Sequence, residues 1–214
     1  MWLVNMSCMA RPATATPERI LHAAFGRFSR YGYRRTSMED IAAEAGVSRA
    51  ALYLQFRNKE EIFRSLSHQL HDEALARAEA ALSGDAPLGD RLRAAVEAKS
   101  LRFVEIAYSS PHGSELLDES NRLCGDLPVE SARRFRDALA RVLRRAAQRG
   151  EIDLAAVHLT AAQAAELFLQ SVSGLKGPGV TVDAYRKRLA ALVRVFLAGL
   201  GARASRSPRQ RRTG

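Results

Sequence analysis

Between Thr36 and Lys59 the chain sets out side chains suited to a nucleic-acid duplex. Arg49 can fork onto guanine O6 and N7, and Gln55 can pair with adenine N6 and N7, provided both point into a major groove. Tyr53 and the hydroxyls of Thr36, Ser37 and Ser48 suit phosphate oxygens. Lys59 adds a cation at the start of a helix, where free backbone N–H groups already favour an anion. Ala50 and Leu54 share the segment and complete the candidate DNA-contacting set.

Such groups need a rigid mount, and the local sequence supplies one. Thr16-Pro17-Glu18 has the cap, proline and first-turn acid of a helix start. Ile20, Leu21, Ala24, Phe25 and Phe28 make its apolar stripe, and Gly32 stops it. A two-turn helix follows, opened by a capping box of Thr36 with Glu39 or of Ser37 with Asp40. Gly46 can take the positive φ of a sharp turn, and Ser48 caps a third helix anchored by Leu52 and Phe56. Asn58 caps a fourth that runs to about Leu82. Small Ala42 lets the short helices cross closely, and Ile41, Val47 and Leu52 form their shared core. This is the arithmetic of a helix-turn-helix whose second helix can lie in a major groove.

The strings Ile20-Leu21-His22-Ala23-Ala24-Phe25, Phe28-Ser29-Arg30-Tyr31-Gly32-Tyr33, Thr36-Ser37-Met38-Glu39-Asp40-Ile41-Ala42, Ala45-Gly46-Val47-Ser48, Leu52-Tyr53, Phe56 and Asn58-Lys59-Glu60-Glu61-Ile62-Phe63 are specific. Together, residues 17–63 resemble the amino-terminal domain of the TetR (tetracycline-repressor-like) family of bacterial transcriptional regulators. The resemblance implies a homodimer that represses transcription and leaves a double-stranded DNA operator when a small-molecule effector binds. It also implies phosphate contacts at Tyr53 and Lys59. Ala51 stands where the family often has threonine, and Leu54 and Gln55 stand where His or Tyr is frequent, so base readout here differs from the common pattern.

Charge is distributed to match. Residues 1–60 hold nine Arg/Lys against five Asp/Glu, residues 61–202 hold nineteen against eighteen, and residues 203–214 hold five Arg and no acid. A neutral body behind a basic first quarter points to one small region that meets a polyanion. The chain reads as all-α with about nine helices: beyond Pro87 they fall at about 88–109, 113–121, 128–149, 153–175 and 182–201, separated by turn-forming residues. The expected organisation is a flexible N-terminus at 1–15, in which Met6 and Met9 are alternative starts, then a three-helix DNA-binding domain at 16–63. A helical ligand-binding and dimerisation domain follows at 64–202, with a disordered basic tail at 203–214.

Effector and dimer sites rest on apolar faces. Leu92, Val96, Lys99, Phe103 and Ile106 line one side of the 88–109 helix with Tyr108 at its end, making Val96, Lys99, Phe103 and Tyr108 the candidate ligand contacts, although any core needs such a stripe. Ala164, Phe168 and Val172, with Leu189, Val193 and Phe196, suit a symmetric four-helix dimer interface.

Other chemistry finds no support. His68 and His71, three apart beside Asp72 and Glu73, lack a defined third ligand, so no metal or cofactor is expected. There is no G-x-S-x-G, glycine-rich phosphate loop or H-E-x-x-H, and an enzyme is not expected. Cys8 and Cys124 make no disulfide framework; Cys124 reads as a buried thiol rather than a redox sensor. The most apolar stretch, Leu189 to Leu200, is broken by Arg194 and falls short of the ~20 residues of a membrane span, so a cytoplasmic protein is expected. The alternative to a DNA reader is a helical small-molecule-binding or interaction protein whose amino-terminal motif no longer reads DNA.

Overall fold

The computed structural model describes residues 16–177 and 180–202, without the side chains of Tyr108 and Ser109. The expected N-terminal extension with Cys8, and the basic tail at 203–214, lie outside the described residues. Among these, nine helices and no strand occur: α1 (Pro17–Tyr31), α2 (Met38–Ala45), α3 (Arg49–Gln55), α4 (Lys59–Ser83), α5 (Leu88–Ser109), α6 (Gly113–Leu123), α7 (Asp126–Gln148), α8 (Ala161–Ser173) and α9 (Val182–Gly199). No helix among the described residues is long and apolar enough to cross a membrane.

Two apolar clusters organise the helices. One gathers Ile20, Ala24, Phe28, Ile41, Leu52 and Phe56 with Ile62 and Phe63 of α4 and Leu116 and Leu123 of α6. The other gathers Leu75, Leu82, Leu92, Val96, Phe135, Leu139, Phe168, Tyr185 and Leu189. The expected boundary at 63/64 falls inside α4, whose first turns pack in one cluster and whose later turns pack in the other. α2 and α3 are too short to be stable helices alone, since nucleation outweighs the few hydrogen bonds they gain. Capping and burial hold them. Ser37 accepts from the Asp40 amide while Asp40 accepts from the Ser37 amide, which selects the Ser37–Asp40 capping box of the two open in the sequence. Gly46 takes φ 63°, and Ser48 accepts from the Ala51 amide. α3 buries Leu52 alone, so the rest of the helix is left to face outward.

Two expectations change. The helix expected at 153–175 begins only at Ala161, because Thr160 and Gln163 form a capping box and His158, at φ 53°, turns the preceding chain out of helical geometry. The six expected dimer contacts are the chain's own core: Ala164, Phe168, Val172, Leu189 and Val193 are buried, and Phe196 is partly buried with its ring 4.8 Å from that of Phe168. Within the single chain these side chains turn toward its own core, Phe196 only in part, and the outward faces of α8 and α9 are left open. The wide apolar faces read from sequence served intramolecular packing first.

Candidate functional site

α3 presents Arg49, Ala50, Tyr53, Leu54 and Gln55 outward, with Ser48 at its start. Leu54 is 85% exposed, which is unusual for a large apolar side chain and suits contact with a thymine methyl group. Arg49 reaches Glu39 at 2.8 Å and lies over the Tyr53 ring, 5.5 Å from its centroid. Because both partners of that ion pair are exposed, the pair is worth about 0–1 kcal/mol, and a base edge or phosphate can displace it. Ser37 is exposed, with its hydroxyl on Asp40.

Two expected phosphate contacts have other work. Thr36 is buried and its hydroxyl donates to the Gly32 carbonyl at 2.7 Å, so it closes the α1–α2 loop and cannot meet a phosphate. Lys59 donates to the carbonyls of Tyr33 and Thr36, each at 2.8 Å, with Arg34 O at 3.4 Å, and its ammonium lies 4.4 Å from the Tyr33 ring centroid. Burial lowers its pKa, opposed by Glu119 and Glu115. The lysine locks the loop that leads into α2. Arg57, 89% exposed beside Glu61, is a nearby cation that the sequence did not single out, and Arg35, which with Arg34 could flank the backbone, is exposed too.

The same loop is tied to α6. The Arg34 amide donates to Glu115 Oε1 at 2.9 Å, Arg34 Nε donates to Glu119 at 3.2 Å, and Arg122 donates to Glu119 at 2.7 Å. Burial pushes the Glu119 carboxyl up, but the hydrogen bonds from Arg122 and Arg34 outweigh it and hold the group below the ordinary carboxylate range. Ser110, just before α6, donates to the Ser29 carbonyl at 2.7 Å.

The other side of α6 lines a cavity of about 310 Å³ with Leu117, Ser120 and Asn121. Its remaining wall includes His71 of α4, Lys99, Ser100 and Phe103 of α5, Phe135 of α7, Leu169 and Val172 of α8, and Lys176 of the α8–α9 turn. The rings of His71 and Phe103 lie 4.7 Å apart, tilted by 37°. Both also border a smaller void of about 50 Å³ that reaches Phe28 and Phe63 in the DNA-binding end's core. His71 Nδ1 is buried with no hydrogen-bond partner among the described residues. Burial, then the charge of Lys99, lower the imidazole pKa to about 4, so the ring is neutral.

Residues 20–66 match the family model described as bacterial regulatory proteins, tetR family. The likeness extends well beyond that segment: the HTH-type transcriptional regulator TtgR of Pseudomonas putida is 30% identical over 151 residues, which cover 66% of this chain and 72% of TtgR. The chain belongs to the tetR family. It is a DNA-binding transcriptional regulator. RutR of Escherichia coli is 33% identical over 107 residues, 50% of this chain and 48% of its own. Among solved structures, SmeT, the repressor of the Stenotrophomonas maltophilia multidrug efflux pump SmeDEF, shares the fold at TM-score 0.63 and 24% identity, covering 88% of this chain and 92% of SmeT. A TetR-family regulator of Thermus thermophilus, PfmR, superposes at TM-score 0.57 with 27% identity over 85% of this chain and 98% of its own.

In this tetR-family chain the four candidate ligand contacts separate. Lys99 and Phe103 line the cavity, whereas Val96 is fully buried in the core between helices, and Tyr108 has no described side chain. Sequence reasoning missed His71, Phe135, Leu169 and Lys176, which come from four different elements. One signal was available: His71 falls on the buried face of α4, where a histidine needs a reason. No group of three metal-binding side chains exists among the described residues. Cys124 is buried, and burial raises its thiol pKa.

Proposed function

We propose that this tetR-family regulator is a homodimeric cytoplasmic repressor, released from its operator when a small molecule occupies the cavity between α4 and α8. Residues 16–63 would read DNA, and residues 64–202 would bind the ligand and pair the two copies. The observation that carries this is the double role of α6: Leu117, Ser120 and Asn121 face the cavity, while Glu115 and Glu119 grip Arg34 in the loop that leads to α2. A ligand that displaces α6 drags that loop, and with it α3. The two recognition helices then leave the ~34–36 Å separation that fits successive major grooves, and affinity falls through that differential fit. SmeT, solved both as an efflux-pump repressor and with triclosan, lends precedent for repression and for small-molecule occupancy.

In this reading Arg49 and Gln55 take base edges, Ala50 and Leu54 take thymine methyls, and Ser37, Ser48 and Tyr53 take phosphates. Lys59 contributes by holding the loop. Pairing uses the outward faces of α8 and α9, where Leu167 is 50% and Val195 71% exposed. Fluorescence anisotropy against duplexes tiling the chain's own upstream region tests the reading. Binding to one duplex far above random competitor is expected, as is a dimer by sedimentation that Val195→Glu converts to monomer. A parent protein that is monomeric and prefers no duplex refutes it.

A further inference from the structure

The cavity carries a charge pattern that says what fits it. Lys99 and Lys176 both line it, and neither ammonium has a carboxylate partner among the described residues. The nearest acid on the same helix, Glu97, is engaged by Arg93 and Arg186 instead. Among the described residues no acidic side chain lines the cavity, and most of its wall is apolar. Lys99 is held at about 8, first by burial and then by the charge of Lys176, so the two cations sense each other across the space. Desolvation on its cavity side lowers Lys176 as well, although the residue as a whole stays exposed. A half-buried cation without a carboxylate partner, as Lys99 is, costs free energy that an incoming anion removes. A third polar group, His71, is 92% buried by its 8% exposure, lines the same cavity and has Nδ1 without a partner.

We propose that the cavity takes a carboxylate with an apolar body: the carboxylate sits between Lys99 and Lys176, the His71 imidazole supplies a hydrogen bond, and the hydrocarbon lies against Phe103, Phe135 and Leu169. At about 310 Å³ the space is near the lower end of small-molecule pockets, so the body is one ring or a medium-length chain. Cationic amphiphiles are excluded by like charge. The regulatory consequence of this binding rests on the ligand-responsive reading above.

A matched series of octanoate, octanol and octylammonium separates charge from hydrocarbon. Isothermal titration calorimetry on the full chain should rank octanoate first, with octylammonium not binding. Lys99→Met and Lys176→Met should each weaken octanoate about tenfold, the loss typical of one charge-assisted hydrogen bond, and leave octanol unchanged. Lys99→Arg should restore much of the affinity. The unmodified protein decides the matter even where a variant folds poorly. Octylammonium binding as well as octanoate, no binding by any of the three, or a folded double Lys→Met variant that keeps octanoate affinity would each overturn the assignment. Octanoate that binds without changing operator affinity would leave this site standing and remove only its link to repression.

Discussion

Two lysine settings divide the molecule. Lys59, at the head of α4, is withdrawn from water and answered by three carbonyl oxygens and an aromatic face. Lys99, in the middle of α5, has only the Phe103 ring at 5.4 Å, no oxygen partner among the described residues, and another lysine's charge nearby. The first arrangement is complete within the chain and locks a loop; the second is incomplete and is satisfied only from outside. A buried charge with its partners present serves stability, and one without them marks a binding place. That distinction gives Lys59 a loop-holding part and supports the proposed ligand contact at Lys99, which the sequence had also offered.

The sharpest break of this contrast is one substitution made twice. Lys59→Met should cost about 3 kcal/mol in urea denaturation, because it strips charge-assisted hydrogen bonds and strands the carbonyls of Tyr33 and Thr36. Comparable denaturation for Lys59→Met and the parent would show that the clamp contributes nothing. Next comes His71. Its folded pKa of about 4 lies below the ordinary 6.5, so the folded state binds fewer protons and the stabilisation is complete above pH 6.5 and lost as pH falls through 4. The loss should be on the order of 2–3 kcal/mol, and His71→Phe should flatten that part of the profile.

Lys99→Met should act in the opposite direction to Lys59→Met, raising stability at pH 7 by about 1–2 kcal/mol. The sign follows from the depressed pKa: the parent gains stability between pH 8 and 10.5, where the unfolded chain still holds the proton that folded Lys99 has released. The variant should lack that rise. A parallel pair of profiles would mean that Lys99 is solvated. The smallest stability effect belongs to the exposed Arg49–Glu39 pair: Glu39→Gln should change stability by less than about 1 kcal/mol, and the change should vanish at high salt. Arg49→Ala should, by contrast, relax base preference at one position of each half-site in a binding-site selection.

Legibility followed locality. The capping pair Ser37–Asp40, the turn at Gly46 and the Leu52 anchor are set by neighbours within four residues, and they could be read directly. The capping box at Thr160–Gln163 is equally local, yet the apolar run around it masked the later start of α8. Phe168 and Leu189 show the harder case: apolar spacing identifies a face but not what the face meets, and these turned to their own core. The cavity was the least legible, since His71, Lys99, Phe135 and Lys176 are scattered over more than a hundred positions.

The amino-acid sequence alone determined the all-α class, the short paired helices and the outward set on α3, because capping, glycine turns and helical periodicity act over a few residues. Tertiary structure alone decided that Thr36 and Lys59 close a loop, that the broad faces of α8 and α9 are interior, and that two lysines share one apolar cavity. Burial and the pairing of charges depend on segments brought together from afar, and no local pattern encodes which ones meet.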